Sequence, residues 1–500
     1  MVPLSIIHVA SEVYPFSKTG GLADVARALP RALASLGHQV AVFTPYFGSL
    51  DYSEHELELV VPQLPISLPD GSRLEAKVWR GWLQQNLPVY LIQQDEYFGP
   101  HRPMYGDPND NRRFFVFNLA VLAAIDELEL KPQVIHCHDW HAGLIPYLVH
   151  SKQNGHAGSS LDIRTVFTIH NLTFQLGHDW WEVPSELNDN GRSALPEWWD
   201  EEAWERVNFT KRAIMQADFI TTVSEQYAEE ILTKDFGQDL HRVLVNRKKI
   251  LAGIINGLDY RDFNPTTDLG LYANYDLTSL DRKYDNKRHL QRDFGLVERA
   301  HVPLIGMVTR LSEQKGFDLL LEIIEPLLRL DVQLVVMGGG DKNYAAVLDK
   351  AAKKHSTKLG VRLEFDIQNA TRVYAGSDMF LMPSRFEPCG LGQMISLRYG
   401  SIPIVHATGG LADTIVDYNS RTGQGNGFVF RTYDSRDLLV AITRAVVNYK
   451  YQSSWRKLVE DGMHQSFSWQ VPAKKYVLIY RRLLRLPAPI EKEYDESDLG

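Results

Sequence analysis

Short apolar runs rich in β-branched residues alternate with helical patterns along nearly the whole chain. That alternation restricts the fold to parallel sheets covered by helices on both faces. In the first half the runs fall at Ile6–Ala10, Gln39–Thr44, Val134–His138, Thr165–His170, Phe219–Ser224 and Ile250–Asn256. In the second they fall at Leu304–Thr309, Gln333–Met337, Met379–Met382 and Ile402–His406. Their grouping predicts an α/β protein with two doubly wound domains rather than one long sheet. The polar, irregular stretch from Asn264 to Asn286 marks the break, because so long a structureless segment rarely lies inside a compact domain. The expected division is a first domain at 1–257, a linker at 258–299, a second domain at 300–470 and a final segment at 471–500. Ligands of open α/β sheets bind beyond the carboxyl ends of the strands, so two such domains facing each other form a cleft.

The chain has 500 residues, 44% hydrophobic and 23% charged, enough for two full cores. A formal charge of -9 argues against a nucleic-acid partner, which needs a net basic face, so any phosphate recognition must be local. Cys137 and Cys389, the two cysteines, make no disulfide framework and fit a reducing compartment. No apolar run approaches the ~20 residues that span a bilayer, so no membrane partner is expected. A strand pattern starts three residues from the N-terminus, leaving no room for a leader. The expected location is cytoplasmic, or plastidic after processing.

Five turns carry the chemistry. In Ser384-Arg385-Phe386-Glu387-Pro388-Cys389-Gly390-Leu391 an apolar run ends in a carboxylate, a proline and a glycine just before a helical pattern. A strand ending there holds Glu387 at the mouth of a sheet, with the amides of Cys389, Gly390 and Leu391 at the start of the next helix for hydroxyls or an anion. An ordinary strand-to-helix turn with a surface Glu reads the same way. After the first strand, Lys18-Thr19-Gly20-Gly21 outlines a pyrophosphate site at a helix N-terminus, or only a tight turn. It is neither a P-loop nor a Gly-x-Gly-x-x-Gly fingerprint, so nicotinamide and flavin binding are not expected. Arg310 and Lys315 lie five residues apart after another strand, suited to phosphate oxygens or to a solvated surface. Gly338-Gly339-Gly340-Asp341 and Thr408-Gly409-Gly410-Leu411 repeat the strand, glycine, helix pattern.

His136-Cys137-His138-Asp139-Trp140-His141 crowds imidazoles, a thiol and a carboxylate into six residues. On a strand His136 and His138 share one face while Cys137 turns away, and Asp139 begins a turn, so no ligand shell is evident and no metal is expected. Asp139 before Trp140 suits a sugar, one by hydrogen bonds and the other by stacking. His170-Asn171 offers a similar polar tip, and a buried polar residue satisfied by backbone is the alternative for each.

Together these motifs resemble the retaining glycosyltransferases of the bacterial glycogen synthase and plant starch synthase type. Lys18-x-Gly-Gly-Leu, His138-Asp-Trp-His-Ala-Gly143, Thr168-Ile-His-Asn-Leu172, Asn256-Gly-Leu-Asp259, Arg310 with Lys315, Arg385 to Leu391 and Thr408 to Leu411 stand in that family's order across about 1–480. The resemblance implies the GT-B fold: two Rossmann-like domains facing a cleft, with a C-terminal helix within Pro472 to Leu484 returning to the first, acceptor-side domain. It implies glucosyl transfer with retention from ADP-glucose, or less often UDP-glucose, to the non-reducing 4-hydroxyl of an α-1,4-glucan. The implied partners are therefore a nucleotide sugar and a glucan, with no cofactor.

The resemblance also implies roles. Glu387, His170, Lys315 and Arg310 are catalytic. Lys18, Gly20, Gly21, Arg310, Lys315, Thr408, Gly409, Gly410 and Leu411 bind donor phosphate. Asp24, Asp139, His170, Asn171, Glu387, Cys389, Gly390 and Leu391 bind glucose, and Gly339, Asp341, Phe365 and Tyr374 bind the nucleoside. The segments 173–181 and 200–204 depart from the family's usual sequence. Ile395 stands where the wider superfamily often has a second Glu, which leaves a two-Glu mechanism unsupported.

Overall fold

A computed structural model describes residues 2–155, 163–364 and 367–488, which fall into two compact units. The first comprises Met1–Val223, Ala228–Gly257 and Trp469–Gly500, and the second Ser224–Tyr227 and Leu258–Ser468.

The first unit is built on nine strands: β1 (Ser5–Val9), β2 (Gln39–Pro45), β3 (Glu58–Ser67), β4 (Arg73–Gln84), β5 (Leu87–Gln93), β6 (Val134–His138), β7 (Arg164–Ile169), β8 (Phe219–Thr222) and β9 (Leu251–Gly253). Their order in the sheet is β3-β4-β5-β2-β1-β6-β7-β8-β9. β4 runs antiparallel to both β3 and β5, and the other neighbours are parallel. The order reverses at β1, which has β2 on one side and β6 on the other, the switch point where ligands of such sheets bind. The helix Gly21–Ser35 follows β1 and is closed by Gly37 at φ 86°, whose N–H donates to Ala34 O at 2.9 Å.

The helix Gln470–Leu483 belongs to this first unit. Trp469, Ala473, Tyr476, Val477 and Tyr480 are buried in one core cluster with Leu29 and Leu33 of the first helix and Val40 and Val42 of β2. Tyr480 also meets the sheet through its hydroxyl, 2.7 Å from His136 Nδ1.

The second unit has six parallel strands, β10 (Leu304–Val308), β11 (Gln333–Met337), β12 (Leu359–Arg362), β13 (Met379–Met382), β14 (Ile402–His406) and β15 (Phe428–Phe430), in the order β12-β11-β10-β13-β14-β15. Its switch point lies between β10 and β13. The stretch 258–299, expected as a linker, is part of this unit. Within it the helix Lys283–Asp293 buries Asn286, Lys287, Leu290 and Gln291. Lys287 Nζ reaches Asp378 Oδ2 at 2.7 Å, and Tyr275 donates to Tyr399 O at 2.7 Å. These polar side chains are inside because each has a partner there, which composition alone does not reveal.

Replacing Tyr476, 1% exposed, by Ala leaves a cavity beneath the first sheet. The variant is expected to lose about 3 kcal/mol of stability, read as a lower unfolding midpoint in denaturant titration.

Candidate active site

In the second unit the β10 and β13 loops meet because their strands are neighbours. The Arg385 N–H donates to Gln314 O at 2.9 Å and ties one loop to the other. Lys315 Nζ lies 2.7 Å from Glu387 Oε2, and the Ser384 hydroxyl donates to the same oxygen at 2.9 Å. The side chains of Lys315 and Glu387 are 18% and 8% exposed, so this ion pair is shielded from solvent and its attraction is less screened than in a surface pair. Arg310, by contrast, is exposed and has no hydrogen bond or ion pair with any described residue. Cys389 is buried. The N–H groups of Gly390 and Leu391, which lead into the helix Gly392–Arg398, donate to no described residue.

The other glycine turns of this unit serve the protein itself. A Cβ on Gly409 or Gly410 would stand 2.1 Å from Glu387 O or 2.0 Å from Cys389 O, so this turn is packed flat against the Glu387 loop. The Gly410 N–H donates to Glu387 O at 3.1 Å and the Leu411 N–H to Thr408 O at 3.0 Å. Neither amide is open to a phosphate as expected; the buried Thr408 and the glycines position Glu387 instead. Gly339 O accepts from Leu311 N at 2.8 Å and so braces the loop after Arg310. Asp341 caps the helix Lys342–Lys354, its Oδ1 accepting from Asn343 N and Tyr344 N. Tyr374 is buried against Phe380, ring centroids 4.5 Å apart, which is core packing rather than an open platform for a base. Phe365 lies outside the described residues.

In the first unit the loops after β1, β6 and β7 converge, and an acidic side chain organises each of two turns. Glu12, 2% exposed, accepts from Thr19 N at 2.5 Å, Thr19 Oγ1 at 2.8 Å and Gly20 N at 3.2 Å. Burial raises its pKa, against the pull of these donors and of the Ala23 N–H. The Gly20 amide expected for pyrophosphate is therefore taken, while Gly21 has nothing within 4 Å of an added Cβ. Lys18 Nζ is paired with both oxygens of Asp24, at 2.6 and 2.8 Å.

Asp139 holds φ at 57°, a costly conformation for a non-glycine residue. Its Oδ1 accepts from His170 N at 2.7 Å, and Asn171 N–H is a second donor. Burial pushes its carboxyl up to about 7, against the pull of those amides and with a small push from Glu12. Asp139 thus shapes the His170 turn. Trp140 is 4% exposed with its ring against Phe114 and Phe209, so it is core and not a stacking surface. Asn171 Oδ1 accepts from Thr173 N at 3.1 Å, leaving its amide group for a ligand.

His136 and His138 share a strand face with rings 4.3 Å apart, and β1 adds His8 beside them. One nitrogen from each of the three lies within 4.8 Å of the others. Those nitrogens serve one another and the protein: His8 Nδ1 is 2.9 Å from His138 Nε2, and His136 is bonded to Tyr480 and Thr168. A metal there would have to displace these bonds.

Two sequence families match the chain: the starch synthase catalytic domain over residues 5–246 and glycosyl transferases group 1 over 292–460. The glycogen synthase of Desulforudis audaxviator is 43% identical over 493 residues, 96% of each chain. The chain belongs to the glycogen and starch synthase family. That of Moorella thermoacetica is 42% identical, covering 96% of this chain and 97% of the relative. The catalytic domain of starch synthase IV from Arabidopsis thaliana, solved with ADP and acarbose, superposes with a TM-score of 0.85 at 34% identity, covering 97% of this chain and all of that one. Sucrose-phosphate synthase from Thermosynechococcus elongatus, at 17% identity and a TM-score of 0.58, shares the fold alone. This glycogen/starch synthase is a glycosyltransferase of two α/β units, with a mostly parallel sheet in the first and a parallel sheet in the second.

Glu12 and His8 are site-forming residues that the motifs did not include, and Ser384 stands in its motif without its bond to Glu387 being evident. Position could have flagged Glu12, a carboxylate just past the end of β1 and before the glycine turn. Nothing local marks His8, whose partners lie about 130 residues away.

Two contrasts test this description. An unfolded aspartate loses its proton near pH ~4, whereas Asp139 keeps it to about 7. Folding therefore takes up a proton in that window, and stability falls as pH rises through it. Asp139→Asn removes the effect, so the drop in melting temperature between pH 5 and pH 8.5 should be smaller than in the parent protein. Gly410→Ala should cost about 1–3 kcal/mol through overpacking, while Gly21→Ala, with open space around it, should unfold within about 1 kcal/mol of the parent in denaturant titrations.

Proposed function

We propose that the protein transfers glucose from ADP-glucose to the non-reducing 4-hydroxyl of an α-1,4-glucan, with retention at C1. The observation that carries this reading is the shielded Lys315–Glu387 pair at the switch point of the second sheet, beside an exposed Arg310. Arg310 and Lys315 neutralise charge gathering on the departing diphosphate; in the first unit Lys18 can take a phosphate oxygen once it exchanges Asp24 for it. A diphosphate so held leaves without a proton from a carboxylic acid, unlike a glycosidic oxygen. No metal is needed for that step.

Glu387 and the N–H groups of Gly390 and Leu391 bind glucose hydroxyls. In the first unit, His170 and the Asn171 amide offer hydrogen bonds to sugar hydroxyls. Glu387 shares its Oε2 with Lys315 and Ser384, which makes it a weak nucleophile but a fixed negative charge for an oxocarbenium-like sugar. With the buried apolar Ile395 in place of a second Glu, retention follows by attack of the acceptor on the face the diphosphate leaves. Gly339 supports the nucleoside end.

The test supplies radiolabelled ADP-glucose or UDP-glucose with glycogen and counts label in precipitated polymer. Label from ADP-glucose that β-amylase releases as maltose is the expected result. Incorporation from UDP-glucose alone would replace the donor, and glycogen binding without incorporation from either would mean a non-catalytic scaffold. Arg310→Ala and Lys315→Ala should each lower turnover by about 10²-fold while leaving the far-ultraviolet circular dichroism unchanged.

A further inference from the structure

His170 ends a hydrogen-bonded row of three imidazoles that runs into the core of the first unit. His170 Nε2 lies 3.0 Å from His138 Nδ1, and His138 Nε2 lies 2.9 Å from His8 Nδ1. The remaining nitrogen of His8, Nε2, is buried without a partner. The remaining nitrogen of His170, Nδ1, bonds to no described residue and is not sealed from solvent. His8 and His138 are fully buried, and burial drives the pKa of all three rings far below the ordinary imidazole value. All three are therefore neutral at physiological pH, each with one N–H and one lone pair.

A neutral row of this kind has two self-consistent proton arrangements. In one, His170 Nε2–H donates to His138, His138 Nε2–H donates to His8, and His8 is left with an unmet Nε2–H in the core. In the other, His8 Nδ1–H donates to His138 Nε2 and His138 Nδ1–H donates to His170 Nε2. His8 then keeps only an unmet lone pair, and His170 carries its proton on Nδ1. A buried N–H without an acceptor is the rarer and costlier defect, which selects the second arrangement. His136 braces the row, since its ring stacks on His138 while Tyr480 and Thr168 occupy its two nitrogens at 2.7 and 2.5 Å.

We propose that His8 and His138 are positioning residues that lock His170 as its Nδ1–H tautomer, so that it offers a hydrogen-bond donor, never an acceptor, to the transferred sugar. This rests on the role given to His170 above. An aligned donor fixes a hydroxyl oxygen of the transferred sugar through that oxygen's lone pair, whereas the opposite tautomer would set the ring's own lone pair against it.

The experiment is long-range ¹H–¹⁵N NMR on protein labelled with ¹⁵N-histidine, with the His170 signals assigned through His170→Ala and read beside kcat and KM for glucan synthesis. The expected result is His170 protonated at Nδ1 in the parent protein. His8→Asn keeps an amide donor near the position of Nδ1, and should preserve both the tautomer and kcat. His8→Leu should give mixed tautomers and lower kcat by about 10-fold with little change in KM for the donor. A parent spectrum with the proton on Nε2 overturns the proposal, even if His8→Leu fails to fold. So does a folded His8→Leu protein with an unchanged His170 tautomer. If His170→Ala retains full activity, the role of His170 fails rather than the row, which the parent spectrum judges separately.

Discussion

Loops at the carboxyl ends of parallel strands carry peptide N–H groups that neither the strand nor the following helix satisfies, and the rest of the site depends on how these are met. In this protein acidic side chains and neighbouring carbonyls meet most of them. Glu12 takes Thr19 and Gly20, Asp139 takes His170 and Asn171, Asp341 takes Asn343 and Tyr344, and the Glu387 carbonyl takes Gly410. Among the described residues, the groups left uncommitted include the Arg310 guanidinium, the amides of Gly390 and Leu391, the Asn171 amide group and His170 Nδ1. Internal satisfaction of the turns thus does two things. It makes the loops rigid, and it leaves a few groups whose unmet capacity matches phosphate and sugar oxygens.

Topology explains why these groups cluster within each unit. β1, β6 and β7 are consecutive neighbours in the first sheet, and β10 and β13 are neighbours in the second, although more than 100 residues separate β1 from β6 along the chain. In both units the order of strands reverses there, so the loops on either side diverge and expose their ends. The acidic residues have different partners in this setting. Glu387 is paired with the Lys315 ammonium, whereas Asp139 has only amides and is pushed toward the neutral acid by burial.

Strands buried on both faces were legible because they read as continuous apolar runs, such as Leu304–Thr309 and Met379–Met382. The antiparallel β3–β4–β5 edge was not, since its half-exposed strands include Pro62, Pro65, Lys77 and Arg80 and read as loop. β12, with Gly360 and Arg362 among its four residues, does not read as an apolar run. In the site, the kind of residue was legible and its partner was not. Glycine pairs announced turns, but whether an amide faces a ligand or an internal carboxylate depends on Glu12 or Asp139 arriving from another strand. The polar stretch 258–299 misled for the same reason, because Asn286, Lys287 and Gln291 are buried with partners distant in sequence.

The last helix bears on the site as well as on the core. Tyr480 bonds to His136, His136 stacks on His138, and His138 bonds to His170, so a chain of contacts leads from the far end of the sequence to an uncommitted nitrogen beside the β7 turn. Each link depends on the exclusion of water. Desolvation keeps the imidazoles neutral, neutrality makes their tautomers matter, and the helix Gln470–Leu483 is one of the elements that buries them. A ring exposed to water would exchange tautomers freely and lose its preference. Covering the sheet with this helix therefore stabilises the first unit and, by the same burial, fixes which nitrogen of His170 carries a proton.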